Sequence, residues 1–125
     1  MQDGFYRSRP IGAAIGGWLV AAFTGTGQTV AVAASAASPF AGITDSGGGS
    51  GGLVDLQLTQ EADVRYGGTV KAGDPLMAAS DGSGRAVKAV KPGTGATVWV
   101  IGIAQIDGVA DDIGKVFLAP SIMLG

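Results

Sequence analysis

Residues 53–59 have the sequence LVDLQLT and decide the fold class of this chain. Val54, Leu56 and Leu58 alternate with other residues, so all three project from one face of an extended strand. This two-residue period is typical of a strand that buries one face and exposes the other. The stretch therefore predicts a half-buried β-strand and a sheet for that strand to join.

Short apolar stretches separated by small-residue turns continue in both directions from this strand. Glycine supplies many of the turns, at 23 of 125 residues, and charged residues make up only 14% of the chain. This composition favours an all-β fold of short strands over long exposed helices. The run SGGGSGG at residues 46–52 predicts a flexible loop. Further strands are predicted over residues 18–24, 28–34, 40–44, 62–66, 76–79, 85–90, 98–104 and 114–119.

Two parts of the chain resemble each other in sequence. LVAA at residues 19–22 precedes a GTG turn, and LMAA at residues 76–79 precedes a GSG turn at the same spacing. Weaker matches continue the pairing at residues 41–43 with 101–103 and at 52–56 with 114–118. A duplicated β unit is expected to form a pseudo-symmetric small β-sandwich or barrel, because one copy alone could not bury its apolar face.

Length and composition limit the classes of protein that fit. A chain of 125 residues is expected to form one domain, with a core of small side chains because alanine and valine dominate its apolar residues. The net charge of −2 and the scattered basic residues argue against nucleic-acid binding, which needs a clustered basic surface. The chain has no cysteine, so disulfides and thiolate metal sites are excluded.

The amino-terminal segment has no strand or helix period. We predict an extended arm over residues 1–16 and a β domain over residues 17–125, since Pro10 interrupts regular structure. Residues 11–23 are apolar but too short and too Gly-rich for a membrane span, and a retained segment is expected in preference to a secretion signal. Aromatic and arginine residues on such an arm suit binding to a partner, with a disordered terminus as the alternative. The candidate contact residues are Phe5, Tyr6, Arg7 and Arg9 on the arm, with Trp18 at the start of the β domain.

The residue types leave little room for catalysis. Histidine and cysteine are both absent, which excludes nucleophilic triads and the usual zinc and iron sites. Asp107, Asp111 and Asp112 lie beside turns, where aspartate commonly caps the backbone. The pair Glu61 and Asp63 has the same interpretation. No enzyme activity, metal or cofactor is therefore expected.

Several motifs resemble, in order and spacing, the bacteriophage capsid decoration (cement) proteins. That family carries a GG.V.AGD.L segment, a DG.A turn, an IG.A strand and a closing hydrophobic strand. The matching segments here are YGGTVKAGDPL at 66–76, DGSGRAV at 81–87, IGIA at 101–104 and GKVFL at 114–118, with FAGITD at 40–45 and VDLQL at 54–58 upstream. The SGGGSGG loop is longer and more Gly-rich than expected for the family, and residues 121–125 have no counterpart in the family pattern.

The resemblance implies a β domain, commonly a homotrimer, that sits on the outer capsid surface and clamps the major capsid protein lattice. It implies no substrate, cofactor, nucleic acid or membrane. One rival hypothesis is an exported surface-layer or pilus-like β protein. Another is a lipoyl-like carrier modified at Lys88, which is disfavoured because residues 81–84, not the lysine, occupy the hairpin tip.

Overall fold

The computed structural model of the protein describes residues 6–50 and 52–124. These residues form ten β-strands and no helix. None of them therefore lies in a helix long and apolar enough to cross a membrane. The strands are β1 (Tyr6–Pro10), β2 (Val20–Phe23), β3 (Val30–Val32), β4 (Phe40–Ser50), β5 (Leu53–Gln57), β6 (Glu61–Arg65), β7 (Pro75–Ala78), β8 (Ala86–Lys88), β9 (Thr97–Ala104) and β10 (Ile113–Leu124).

The strands form two five-stranded antiparallel sheets. The first sheet has the order β1-β5-β4-β2-β3 and the second the order β6-β10-β9-β7-β8. Each strand of the second sheet thus occupies the place of the strand five earlier in the first. The predicted all-β architecture is confirmed, and its two halves share one topology. We name β1 to β5 the first repeat and β6 to β10 the second repeat.

Isolated backbone bridges obey the same correspondence. The parallel bridges pair Ile11 with Val30 in the first repeat and Tyr66 with Ala86 in the second. The antiparallel bridges pair Ile15 with Gly49 and Val70 with Gly108. Ile11 and Ile15 follow β1, and their counterparts Tyr66 and Val70 follow β6. Each counterpart lies 55 positions later in the chain. This agreement outside the main ladders extends the duplication to the connecting segments.

The structural correspondence shifts part of the sequence match by two residues. Ala21 pairs with Gly42 as Leu76 pairs with Gly102, so the counterpart of Leu76 is Ala21 and not Leu19. The match of residues 41–43 with 101–103 stands. Small side chains dominate both hairpins, so the sequence match and the structural alignment, which differ by two residues, pair similar residues.

The prediction of an extended arm over residues 1–16 is corrected here, because residues 6–10 form a strand of the first sheet. All five residues of β1 pair with β5, from Tyr6 opposite Gln57 to Pro10 opposite Leu53. Ile11 and Ile15 beyond it are buried in the core. The strand lacks an apolar alternation because it is an edge strand with polar side chains, and a proline is tolerated at its end.

The Gly-rich stretch predicted as a loop is largely strand. β4 runs on to Ser50 after an irregularity, and Gly49 pairs with Val54. Gly49 also exchanges two backbone hydrogen bonds of 2.9 Å with Ile15. A Cβ on Gly49 would lie only 2.6 Å from Cβ of Val54, so glycine permits this close approach. Gly51 lies outside the described residues.

The core consists mainly of alanine and valine, as predicted from composition. One cluster covers the first sheet and includes Ile11, Ile15 and Leu56. A larger cluster fills the second repeat and includes Tyr66, together with Val20 and Ile43 from the first sheet. These shared members join the two repeats through buried contact.

Candidate functional site

The edge strand β1 carries three of the predicted contact residues. Tyr6 Oη donates a hydrogen bond of 2.7 Å to Gln57 Oε1, and Ser8 Oγ donates to Asp55 Oδ1. Both bonds fix β1 to β5. Arg7 between them is exposed. Phe5, the remaining candidate on this segment, lies outside the described residues.

Arg9 is held within the protein. Its Nη1 donates a hydrogen bond of 2.7 Å to Gln28 Oε1, and its guanidinium carbon lies 5.3 Å from the ring centroid of Phe23. The Nε atom is buried without a hydrogen-bond partner among the described residues. The side chain of Arg9 is therefore half-buried and contacts Gln28 and Phe23 of the same protein, whereas Arg7 is the arginine of β1 that is exposed to solvent.

Trp18 lies at the junction of the two sheets. Its N–H donates to the carbonyl of Thr44 in the first sheet (3.2 Å), and its carbonyl accepts from the N–H of Arg65 in the second (2.8 Å). The Arg65 guanidinium carbon is 5.9 Å from the Trp18 ring centroid. The residue was predicted to lie in a strand, which is wrong, because β2 begins at Val20.

The backbone of Trp18 is left-handed, with φ of 58°. Its counterpart in the second repeat is Gly73, which has φ of 95° and donates to Ala104 as Trp18 donates to Thr44. Glycine adopts this conformation freely, whereas a residue with a side chain loses about 1–2 kcal/mol in it. The first repeat thus keeps a large, half-buried aromatic where the second uses glycine, and such strain is often found at functional positions.

Two arginines and one aspartate complete this junction. Arg65 Nη1 donates to the carbonyl of Asp111 (3.3 Å), and Arg85 Nη1 forms an ion pair of 3.2 Å with the Asp111 carboxylate. Asp111 also has a left-handed backbone, with φ of 72°. We call Trp18, Arg65, Arg85 and Asp111 the Trp18 corner. It presents an aromatic ring and two cations at the surface.

The predicted contact residues fall into two groups. Tyr6, Arg7 and Arg9 share β1, whereas the described contacts of Trp18 are with Thr44 and Arg65. Sequence analysis missed Arg65 as a neighbour of Trp18, and it missed Asp111 and Arg85, which connect to Trp18 through Arg65. Their sequence distance from Trp18 left no local signal that could have connected them.

Two of the aspartates predicted to cap the backbone, Asp107 and Asp112, accept hydrogen bonds from backbone N–H groups. The prediction is wrong for Asp63, which lies inside β6 and pairs with Lys115, and for Asp111, whose carboxylate pairs with Arg85. Asp107 accepts from the N–H of Ala72 (2.7 Å), and Asp112 accepts from the N–H of Val109 (2.9 Å). Hydrogen bonds from Ser83 lower the pKa of the Asp81 carboxyl in its turn. Asp63 forms an ion pair of 2.6 Å with Lys115, which raises the pKa of that amine. Within residues 6–50 and 52–124, no three acidic side chains gather as a metal site would require.

Lys88 does not occupy the position of a carrier lysine. It is the last residue of β8, pairs with Leu76, and its Nζ is 4.0 Å from the Asp74 carboxylate. The β7–β8 hairpin turns before it, at Asp81 to Gly84. The lysine is thus on the strand and away from the tip, as the sequence predicted.

Comparison with known proteins gives a structural match. No protein-family model and no curated protein sequence matches the chain. Its structure is similar to a crystal structure of the head fiber gp8.5 N base in bacteriophage phi29. The TM-score is 0.67 at 18% sequence identity, over 92% of this chain and 93% of that chain. The likeness shows the fold. It spans both repeats, so the phage protein shares the two-sheet architecture.

Proposed function

We propose that this chain is a phage structural protein that binds the outer surface of the capsid and stabilises the lattice of the major capsid protein. The observation that carries the proposal is the likeness to the phi29 head fiber N base along almost the whole of both chains. The resemblance of residues 40–118 to capsid decoration proteins, in the order and spacing of motifs, is the second argument for the proposal.

The proposed role is mechanical and needs no substrate or cofactor. A protein that binds the assembled lattice but not free subunits stabilises the shell by mass action. Many copies on one shell, each proposed to be a homotrimer, add their contacts through multivalency. Weak individual contacts are then sufficient.

Two surfaces are the proposed contacts with capsid protein. Arg7 lies exposed on β1, whose outer edge has no strand partner among the described strands and could accept an extended capsid segment. The Trp18 corner combines tryptophan with arginine, the residue types that dominate binding energy at protein interfaces. The strained backbone of Trp18 supports a role for its ring beyond filling space.

Co-sedimentation with undecorated capsids tests the proposal. Purified chain is mixed with expanded shells of its parent phage and, as a control, with unexpanded procapsids. Arg7→Glu and Trp18→Gly are compared with Lys91→Glu, which makes the same charge change as Arg7→Glu at another exposed site. We expect saturable binding to expanded shells, weakened roughly tenfold or more by the first two variants and unchanged by Lys91→Glu.

The shell itself provides the second measurement. Decorated shells are expected to disrupt at a higher temperature than bare shells, since bound protein stabilises the state that it binds. Absence of binding to either form of shell would reject the proposal and favour the surface-layer or pilus-like alternative.

A further inference from the structure

Each sheet contains a row of four residues that are paired straight across four strands. In the first repeat the row is Tyr6, Gln57, Ile43 and Val20. In the second repeat the row is Glu61, Phe117, Ile103 and Pro75. The strands of the second row are the counterparts of the strands of the first, so the two rows occupy the same place in the two repeats. Directly paired residues project from the same face of a sheet, so each row forms one surface.

Apolar residues of the second repeat cover the row of the first repeat. Val20 and Ile43 are buried, and they belong to the same core cluster as Ala62 and Val64 of β6. Both β6 residues have small side chains, and they alternate with exposed residues along the strand. The packing of β6 against the first sheet removes apolar surface of both repeats from water, which stabilises their contact.

Hydrogen bonds connect both ends of β6 to the first repeat. Gln57, the buried polar member of the first row, donates from Nε2 to the carbonyl of Glu61 (2.9 Å). At the other end of β6, the N–H of Arg65 donates to the carbonyl of Trp18 (2.8 Å). The first repeat thus binds an extended strand through apolar contacts and through a backbone bond to Trp18.

The row of the second repeat is open. Phe117 is 50% exposed, and Ile103 and Pro75 are half-buried. Among the described residues, the chain does not cross this row after Phe117, because β10 continues in the sheet and pairs with β9 up to Leu124. The predicted strand over residues 114–119 is therefore too short. We call Phe117, Ile103 and Pro75 the open row.

The charges of β1 disfavour a second copy of this chain as the occupant of the open row. In a copy stacked as the second repeat is stacked on the first, β1 would take the place of β6. Arg7 and Arg9 would then lie where Ala62 and Val64 lie, because these residues hold matching places opposite β5 and β10. Burial of two arginines against an apolar row that offers no carboxylate is costly.

The end of β1 gives a second reason. Pro10 is the counterpart of Arg65, since they are opposite Leu53 and Ile113. Proline has no backbone N–H, so it cannot make the bond that Arg65 makes with Trp18. Arrays of repeats commonly end in a repeat with a polar outer face, which stops further stacking. These features of β1 favour a different chain over a second copy.

We propose that the open row binds an extended segment of the major capsid protein, which lies on the second sheet as β6 lies on the first. The segment is expected to carry small apolar residues at alternate positions, as β6 does, and to donate a backbone N–H to the carbonyl of Gly73, the counterpart of Trp18. The exposed ring of Phe117 is the main apolar contact, since aromatic residues are enriched at the core of interfaces. This inference rests on the proposed capsid binding, adds a third contact surface and states the chemistry of the partner segment.

Binding to expanded shells tests the assignment. Phe117→Glu places a charge on the open row, and Ile122→Glu places the same charge at a residue of similar exposure, 53%, further along β10. We expect Phe117→Glu to weaken binding roughly tenfold or more and Ile122→Glu to leave it unchanged. Phe117→Gln introduces the residue of the first row without a charge and is expected to weaken binding as well. Circular dichroism checks that each variant keeps its β-sheet.

Photochemical cross-linking identifies the occupant. The variant Phe117→p-benzoylphenylalanine is bound to purified expanded shells and irradiated, and the cross-linked peptides are sequenced by mass spectrometry. We expect a capsid protein peptide with small apolar residues at alternate positions. Sedimentation equilibrium is expected to give the same oligomeric state for the wild type and Phe117→Glu. Cross-links only to other copies of the chain, or loss of association in Phe117→Glu, would overturn the assignment.

The outcomes separate this inference from the proposed function. If the wild type binds expanded shells and both Phe117 variants bind equally well, the open row is not the contact and the capsid role stands. If the wild type binds no shell, both proposals fail.

Discussion

The side chain of Tyr66 occupies the space that a side chain on Gly114 would need, since a Cβ on this glycine would overlap the Cζ, Cε2 and Oη atoms of Tyr66. In the first repeat the same two positions hold Ile11 and Val54, both buried in one cluster. The second repeat thus fills this space with one large and one small residue, and the first repeat fills it with two residues of intermediate size.

This exchange predicts a specific rescue. Gly114→Val forces its side chain into the tyrosine ring and is expected to lower the free energy of unfolding by about 1–3 kcal/mol, the usual cost of overpacking. Adding Tyr66→Ile recreates the pair of the first repeat and should recover much of the loss. Urea denaturation of the single and double variants measures both effects.

Gly68→Ala provides the control for this experiment, because nothing lies within 4 Å of a Cβ at that site. Its unfolding midpoint should stay close to that of the wild type. A double variant no more stable than Gly114→Val would show that the two positions are not coupled.

Tyr66 also makes stability depend on alkaline pH. Its hydroxyl donates 2.8 Å to the carbonyl of Ile106, and burial raises the pKa of the phenol above its usual 10.0. Between the unfolded and folded pKa values the native state holds a proton that the unfolded state has lost. The contribution of Tyr66 to stability is therefore complete below about pH 10, and it is lost as the pH rises through the pKa of Tyr66 in the folded protein.

Tyr66→Phe tests this dependence. The variant should be less stable at neutral pH by about 1 kcal/mol, because a buried hydrogen bond is lost. It should also lose less stability than the wild type between pH 9 and 11. Lys115, whose raised pKa acts in the same direction, is common to both proteins and cancels in the comparison. Parallel pH profiles for the two proteins would contradict the prediction.

The strand predicted over residues 98–104 matches β9 to within one residue because its residues favour β structure, and strands with one buried face were recognised from their alternation. β5 and β6 alternate between buried and exposed residues, which is the pattern that sequence analysis detects. β1 lacks it because both of its faces carry polar side chains, and only its pairing with β5 identifies it as a strand. The limits of β4 and β10 depend on partners distant in sequence.

The Trp18 corner was beyond sequence analysis for a different reason. The sequence could have indicated a left-handed backbone at Trp18 only if Gly73 had been recognised as its counterpart. The sequence match was displaced by two residues there and so did not align the two positions. Arg65 comes from the second repeat and meets Trp18 only through tertiary folding, and Asp111 joins the corner through Arg65. The tryptophan itself could be chosen as a contact from its residue type alone.

Substitution of Trp18 separates backbone strain from the contacts of its ring. Trp18→Ala loses the ring and keeps the strain, whereas Trp18→Gly loses the ring and relieves the strain. We expect the alanine variant to be the less stable of the two by about 1 kcal/mol. At Gly73, where φ is also positive, alanine should cost a similar amount relative to glycine. Equal unfolding midpoints for the two Trp18 variants would argue against a left-handed residue in solution.

Removal of residues 1–10 is expected to affect folding as well as binding. β1 forms five register pairs with β5 and precedes the buried Ile11, so its loss should lower the free energy of unfolding by more than about 1 kcal/mol. Arg7→Glu leaves these pairs in place and, as an exposed substitution, should change stability by less than about 0.5 kcal/mol. Thermal unfolding and capsid binding measured on both variants therefore distinguish a structural strand from a contact surface. A truncated chain with unchanged stability would restore the interpretation of this segment as an independent arm.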